Sequence, residues 1–154
     1  MATSKKPSYL GLLNAVSLGE TRAADYLDAW ISVTRDPEVE RALRTVAARE
    51  REHGAAFAKR IDELGYTVQD RPEPNQAKRM RLARSAKNDV EKLEAFGFSR
   101  DPNLPDIFDR FFKDHTIDVQ TGALLGRYVA EERDTLRLLH SVWRKKKRAS
   151  AAAA

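Results

Sequence analysis

Glu50 and His53 stand one helical turn apart, a carboxylate and an imidazole that can grip one cation or share one proton. They interrupt an apolar stripe of Val39, Leu43, Val46, Phe57, Ile61 and Leu64, spaced as on the buried face of a helix. On a helical wheel the apolar members fall within about 40° of Glu50, and His53 lies about 60° away on the same side. A buried carboxylate without a partner is costly enough to neutralise or to find one. Glu20 sits in the same way among Leu13, Val16, Ala24, Leu27 and Ile31. Glu131 does so among Ile117, Leu124, Tyr128, Thr135, Leu138 and Val142, with Asp134 one turn on. These acids lie about 12 to 16 residues into their helices, so at ~1.5 Å per residue antiparallel neighbours bring them to one level. Several carboxylates and an imidazole meeting in an apolar core need a cation, and an oxygen–nitrogen donor set suits iron or manganese.

Other residues have two readings each. Asp89 lies on the edge of a weaker stripe, Leu82, Ala86, Leu93 and Phe96, as a further ligand candidate. Asn88 and Glu91 have capping-box spacing, so Asp89 also fits a helix start. Tyr128, one turn before Glu131, is the candidate catalytic residue, able to relay an electron or to hold a ligand through its hydroxyl. Packing in the core is the plainer use of such a tyrosine. His140 and His115 lie about 180° and 160° from Glu131 and do not join its face.

The elements that must carry these groups are marked by the prolines, Pro7, Pro37, Pro72, Pro74, Pro102 and Pro105, which bound long proline-free stretches. Four helices are predicted, over 8–33, 37–64, 75–96 and 115–144. Asp36 and Pro37 open the second, and Gly65 and Gly97 close the second and third. Gly19, Gly54, Gly122 and Gly126 lie inside predicted helices, where close helix approach compensates for their cost. Before the last helix, Pro105–Phe112 reads as a short extra helix whose aromatic face covers one end of the bundle. No period-two alternation is sustained, so no sheet is predicted. The expectation is one all-α domain over 1–148, a four-helix bundle, followed by a disordered Ala-rich tail at 149–154.

Glu20, the Glu50-Arg51-Glu52-His53 motif and Glu131-Glu132-Arg133-Asp134 resemble the ferritin-like, rubrerythrin-like family of di-metal carboxylate bundles. The resemblance spans about residues 8–144. It implies two iron ions, or iron and manganese, with Glu20 a terminal ligand, Glu50 and Glu131 bridging ligands and His53 a nitrogen ligand. It further implies oxidation of Fe(II) or reduction of O2 or peroxide. The sequence departs from the family at Asp134, which stands where a second histidine is usual, and at Asp89, where a glutamate is usual. No rubredoxin module is expected, since that needs cysteines.

The composition bounds the alternatives. The 154 residues contain no cysteine, which excludes zinc-finger, thiol-redox and iron–sulfur chemistry. The charge of +5, from 28 basic and 23 acidic residues, equals the run Arg144–Arg148 alone. That run reads as a frayed, solvated helix end, so nucleic acid is not the expected partner, and a weak salt-sensitive contact is the most it suggests. No membrane span and no secretory signal are found, and a cytoplasmic location is expected. The competing function is a catalytically inactive bundle acting as a scaffold. A homo-oligomer is left open.

Overall fold

Asp36 accepts hydrogen bonds from the Glu38 and Val39 amides at 2.9 and 3.3 Å, and Pro37 follows at the first helical position. This is the N-terminal signal the sequence announces, and it starts a helix that runs 27 residues, Pro37–Glu63. Gly65, at φ +82°, and Gly97, at φ +88°, take the left-handed conformation that ends a helix. At each, the next amide returns to a carbonyl of the last turn, Tyr66 to Ile61 at 3.0 Å and Phe98 to Leu93 at 2.9 Å.

The structure is a computed structural model describing residues 5–153, and the ends of the expected domain and tail, residues 1–4 and 154, lie outside the described residues. Its elements are α1 (Leu10–Ile31), α2 (Pro37–Glu63), α3 (Gln76–Arg84), α4 (Asp89–Ala95), a 3₁₀ helix (Phe108–Lys113) and α5 (Val119–Ala152). Among the described residues there is no strand, and no helix is long and apolar enough to cross a membrane. α1 packs along α2, α2 against α5, α3 against α1 and α4 against α5.

Three expectations change. The helix expected over 75–96 is two short helices. Ser85 is extended at the end of α3, and Asn88 opens α4 with a complete capping box, its side chain on the Glu91 amide and the Glu91 carboxylate on its own amide. A complete cap makes a new start more favourable here than a continuous helix. The tail expected to be disordered continues α5 through Ala152, as the high helix propensity of alanine favours. The basic run within α5 is not frayed: Lys145 pairs with Glu38, Lys146 with Asp36 and Glu38, and Lys147 with Glu94, all at 2.6–2.9 Å.

The buried apolar residues form two clusters rather than one. One gathers Leu13, Val16, Phe57, Ile61, Leu125 and Val129; the other gathers Leu27, Trp30, Leu43, Val46, Leu139 and Val142. On α1, α2 and α5 alike, the gap between them holds the acids and the histidine.

Gly54 alone among the four helix-interior glycines is tightly approached. A Cβ built there would lie 2.5 Å from Thr21 Oγ1 and 3.2 Å from the Thr21 amide nitrogen. Around Gly19 and Gly126 nothing lies within 4 Å, and Gly122 meets only Ile117 at 3.8 Å.

Candidate metal centre

Glu20 from α1, Glu50 and His53 from α2 and Glu132 from α5 converge in the gap between the two apolar clusters. One donor atom from each lies within 4.8 Å of all the others. Glu20, Glu50 and His53 are 8, 5 and 3 % exposed, so their charges are set by one another rather than by water.

The imidazole orders the group. Its Nε2 lies 2.6 Å from Glu131 Oε2, and its Nδ1 faces Glu20 Oε2 at 3.5 Å and Glu132 Oε1 at 3.6 Å. A proton on Nε2 satisfies Glu131 and leaves the Nδ1 lone pair directed into the cluster. This is the carboxylate–histidine arrangement that orients a metal-binding imidazole. Tyr128 donates its hydroxyl to Glu20 Oε1 at 3.0 Å, fixing that carboxylate from behind.

Burial holds the Glu50 carboxyl well above the ordinary carboxylate range, and the adjacent Glu20 and Glu132 push it further. Burial likewise raises Glu132, with the Glu20 charge acting in the same sense. For Glu20 burial acts upward, but the neighbouring His53 and Glu50 and the hydrogen bond from Tyr128 prevail and hold it low. Burial alone would lower His53; the carboxylates of Glu132, Glu20 and Glu131 overturn this and raise it to about 10. Without a cation the cluster thus retains protons to hold its charge in check. Burial, then the Glu20 charge, keeps the Tyr128 phenol protonated and a donor.

Among the described residues four buried side-chain atoms lack any hydrogen-bond partner, and three of them, Glu20 Oε2, His53 Nδ1 and Glu132 Oε1, belong to this cluster, the fourth being Gln76 Oε1. Those three are the same atoms that face one another across the cluster. Buried polar atoms are normally satisfied, so three such atoms meeting at one point have the chemistry of a ligand set. The donors, carboxylate oxygens and one imidazole nitrogen, fit iron or manganese.

Of the residues expected at the site, Glu20, Glu50, His53 and Tyr128 are brought together. Glu131 is not among the converging donors; its carboxylate is divided between His53 and Arg127, whose Nε lies 3.3 Å away. Asp134 is 56 % exposed and pairs with Arg49 at 2.7 Å. Asp89 accepts from Trp30 Nε1 and Thr34 Oγ1, both at 2.7 Å, and ties the start of α4 to the end of α1.

The residue missed is Glu132. Its signal was the series Thr121, Leu125, Tyr128, Glu132, Thr135, Leu139 and Val142, spaced alternately by four and three, which is the seam α5 buries. The stripe through Leu124 and Leu138 is one residue round the helix, and both leucines are only partly buried.

The aromatic connector packs on the apolar cluster of Leu10, Leu13, Phe57, Ile61 and Leu125, next to the site. Phe108 and Phe111 pack on Tyr128 with ring centroids 5.9 and 6.5 Å away. Arg133 holds the connector down through Asp106, at 2.8 and 3.1 Å, and Asp109, at 2.9 Å. Compared with protein-family models, with curated proteins and with solved structures, the chain matches none.

Proposed function

We propose that this chain is a metal-binding protein, a ferritin-like four-helix bundle in which α3 and α4 together take the place of one helix. Glu20, Glu50, His53 and Glu132 hold a redox-active divalent ion, Fe(II) or Mn(II). The observation that carries this reading is the convergence of three buried, unpartnered donor atoms, Glu20 Oε2, His53 Nδ1 and Glu132 Oε1.

The resemblance implies two ions, but the donor set supports one per chain. Among the described residues a single group of this kind is present. A second ion would have to share Glu50 and Glu132, and three residues beyond Glu132 stands Thr135 rather than a second histidine. Held by these residues, Fe(II) would supply a one-electron reductant for O2 or peroxide. The chain's own residues do the rest: Glu131 fixes the imidazole, Tyr128 fixes Glu20, and Phe108 and Phe111 shield Tyr128 from water.

Equilibrium dialysis against Fe(II) without oxygen, and against Mn(II), followed by metal analysis tests the binding. One ion per chain is expected, lost in Glu50→Ala and in Glu132→Ala. No stoichiometric metal, or the same metal in both variants, overturns it. The redox reading is tested separately by O2 and peroxide consumption after Fe(II) loading, which His53→Ala should abolish. A chain that binds metal and consumes neither would be a metal-holding scaffold, the reading favoured by Thr135 and by the divided third helix.

A further inference from the structure

The basic residues toward the end of α5 divide into those with ion-pair partners and those without. Lys145, Lys146 and Lys147 are engaged by Glu38, Asp36 and Glu94. Arg137, Arg144 and Arg148 have no ion-pair partner among the described residues. These three lie seven and four residues apart, hence on one side of the helix. Together with the paired Lys145 they line a groove of about 750 Å³ between α5 and the loop that includes Ser99, Asp101 and Asn103. Part of the unpaired positive charge of α5 is thus concentrated on one side of the helix. Three guanidinium groups without an ion-pair partner among the described residues lie along one depression.

We propose that this groove binds a small ligand carrying two or more linked phosphate groups. Guanidinium is a planar fork matched to phosphate oxygens and stays charged at any physiological pH. At ~1.5 Å per residue, Arg144 and Arg148 stand about 6 Å apart along the axis and Arg137 about 10 Å further, a row suited to an elongated anion rather than to one phosphate. The volume falls in the range of small-molecule sites.

The opposite wall is polar and carries an acid. Asp101 is held by hydrogen bonds from the Asn103 amide and side chain at 2.9 and 3.0 Å. A fixed carboxylate repels phosphate and accepts from hydroxyl or amino groups, so it gives the groove two chemically different sides. The shared ligand chemistry is the phosphate chain, borne by a nucleoside triphosphate or by inorganic oligophosphate. His140 lines the same groove, with Nδ1 3.2 Å from the Phe98 carbonyl oxygen.

Calorimetric titration of the full chain at physiological salt with ATP, inorganic tripolyphosphate and orthophosphate tests the proposal. ATP and tripolyphosphate should saturate one site, and orthophosphate should bind more weakly. Arg144→Gln and Arg148→Gln should each weaken binding about tenfold, the loss of one charge-assisted contact. Lys147→Gln, at a residue that does not line the groove and is paired with Glu94, should leave it unchanged. Equal affinity for ATP and tripolyphosphate assigns the site to the phosphate chain alone, and tighter ATP binding adds the nucleoside on the Asp101 side. The proposal is overturned if neither ligand saturates at millimolar concentration, or if Lys147→Gln weakens binding as much as the arginine variants. It is also overturned if a mixed-sequence single-stranded oligonucleotide binds while both small ligands fail. Far-ultraviolet circular dichroism confirms that each variant keeps its helix content.

Discussion

His53 Nε2 lies 2.6 Å from Glu131 Oε2, and the other ring nitrogen faces Glu20 and Glu132. Adjacent residues of one helix therefore meet opposite sides of one imidazole. Glu131 orients the ring from outside, whereas Glu132 meets the nitrogen that would coordinate.

The difference between the two glutamates is measurable. Glu131→Gln keeps a hydrogen-bond acceptor but loses the charge, and should weaken Mn(II) binding about 10- to 100-fold, the usual cost of altering a ligand's support. Glu132→Gln should weaken it further, because a donor itself is lost. Titration followed by the paramagnetic resonance of free Mn(II) ranks them. The reverse order would return Glu131 to the ligand set.

The cluster also dictates a pH dependence. With His53 raised to about 10, the folded chain holds this proton more tightly than the unfolded chain, whose value is near 6.5. The stability linked to His53 is complete below the unfolded value and is lost as pH climbs through about 10. Glu50, also raised, acts in the same direction from its ordinary 4.5. Glu20 and Glu131, both lowered, act oppositely, and their contribution is lost as the solution is acidified below that value. The metal-free chain should therefore lose thermal stability from neutral to alkaline pH. A bound cation replaces the protons, so metal binding should release protons and strengthen as pH rises. Calorimetry in buffers of different ionisation enthalpy measures the release; a heat independent of buffer would contradict it.

Asp89 and Asp134 should separate stability from metal binding. Asp134→Asn removes an exposed pair with Arg49 and should leave both nearly unchanged, since such pairs contribute about 0–1 kcal/mol. Asp89→Ala leaves the Trp30 indole N–H without its acceptor and should cost about 1–3 kcal/mol, with metal stoichiometry intact. Denaturant melts paired with metal analysis distinguish these outcomes. A loss of metal in either variant would make that aspartate part of the site.

What the sequence made legible was local. Asp36, Pro37, Gly65 and Gly97 act within one turn of their own positions, and Glu50 with His53 needs only the helix they share. The register of α5 is not local. Leu124 and Leu138 make one apolar stripe, Leu125 and Leu139 another, and only packing against α2 decides that Glu132 rather than Glu131 enters the cluster. The break in the third helix is an intermediate case, because the Asn88–Glu91 cap was visible but competed with an apolar pattern running across it. The placement of Phe108 and Phe111 over Tyr128 joins residues 17 to 20 positions apart through a loop, which no helical period encodes.

Gly54 tests whether the spacing of α1 and α2 sets the geometry of the centre. It follows His53 directly, and Thr21, which its absent side chain would meet, follows Glu20 directly. Ser17 Oγ donates to the Gly54 carbonyl at 2.9 Å, and Thr21 Oγ1 donates to the Ser17 carbonyl at 2.9 Å, so the crossing is fastened on both helices. A methyl group at Gly54 would stand 2.5 Å from Thr21 Oγ1, which can rotate away. It would also stand 3.2 and 3.3 Å from the Thr21 amide and the Ser17 carbonyl, which move only with α1. Gly54→Ala should therefore cost about 1–3 kcal/mol despite the better helix propensity of alanine. The displaced backbone carries Glu20, so metal affinity should fall with stability. Gly19→Ala and Gly126→Ala, with open space around them, should instead stabilise by about 0.5–1 kcal/mol. Adding Thr21→Ala to Gly54→Ala relieves the side-chain clash but not the backbone one and should restore only part of the loss. Full recovery of both stability and metal affinity would show that the hydroxyl alone, rather than the closeness of the two backbones, limits this crossing.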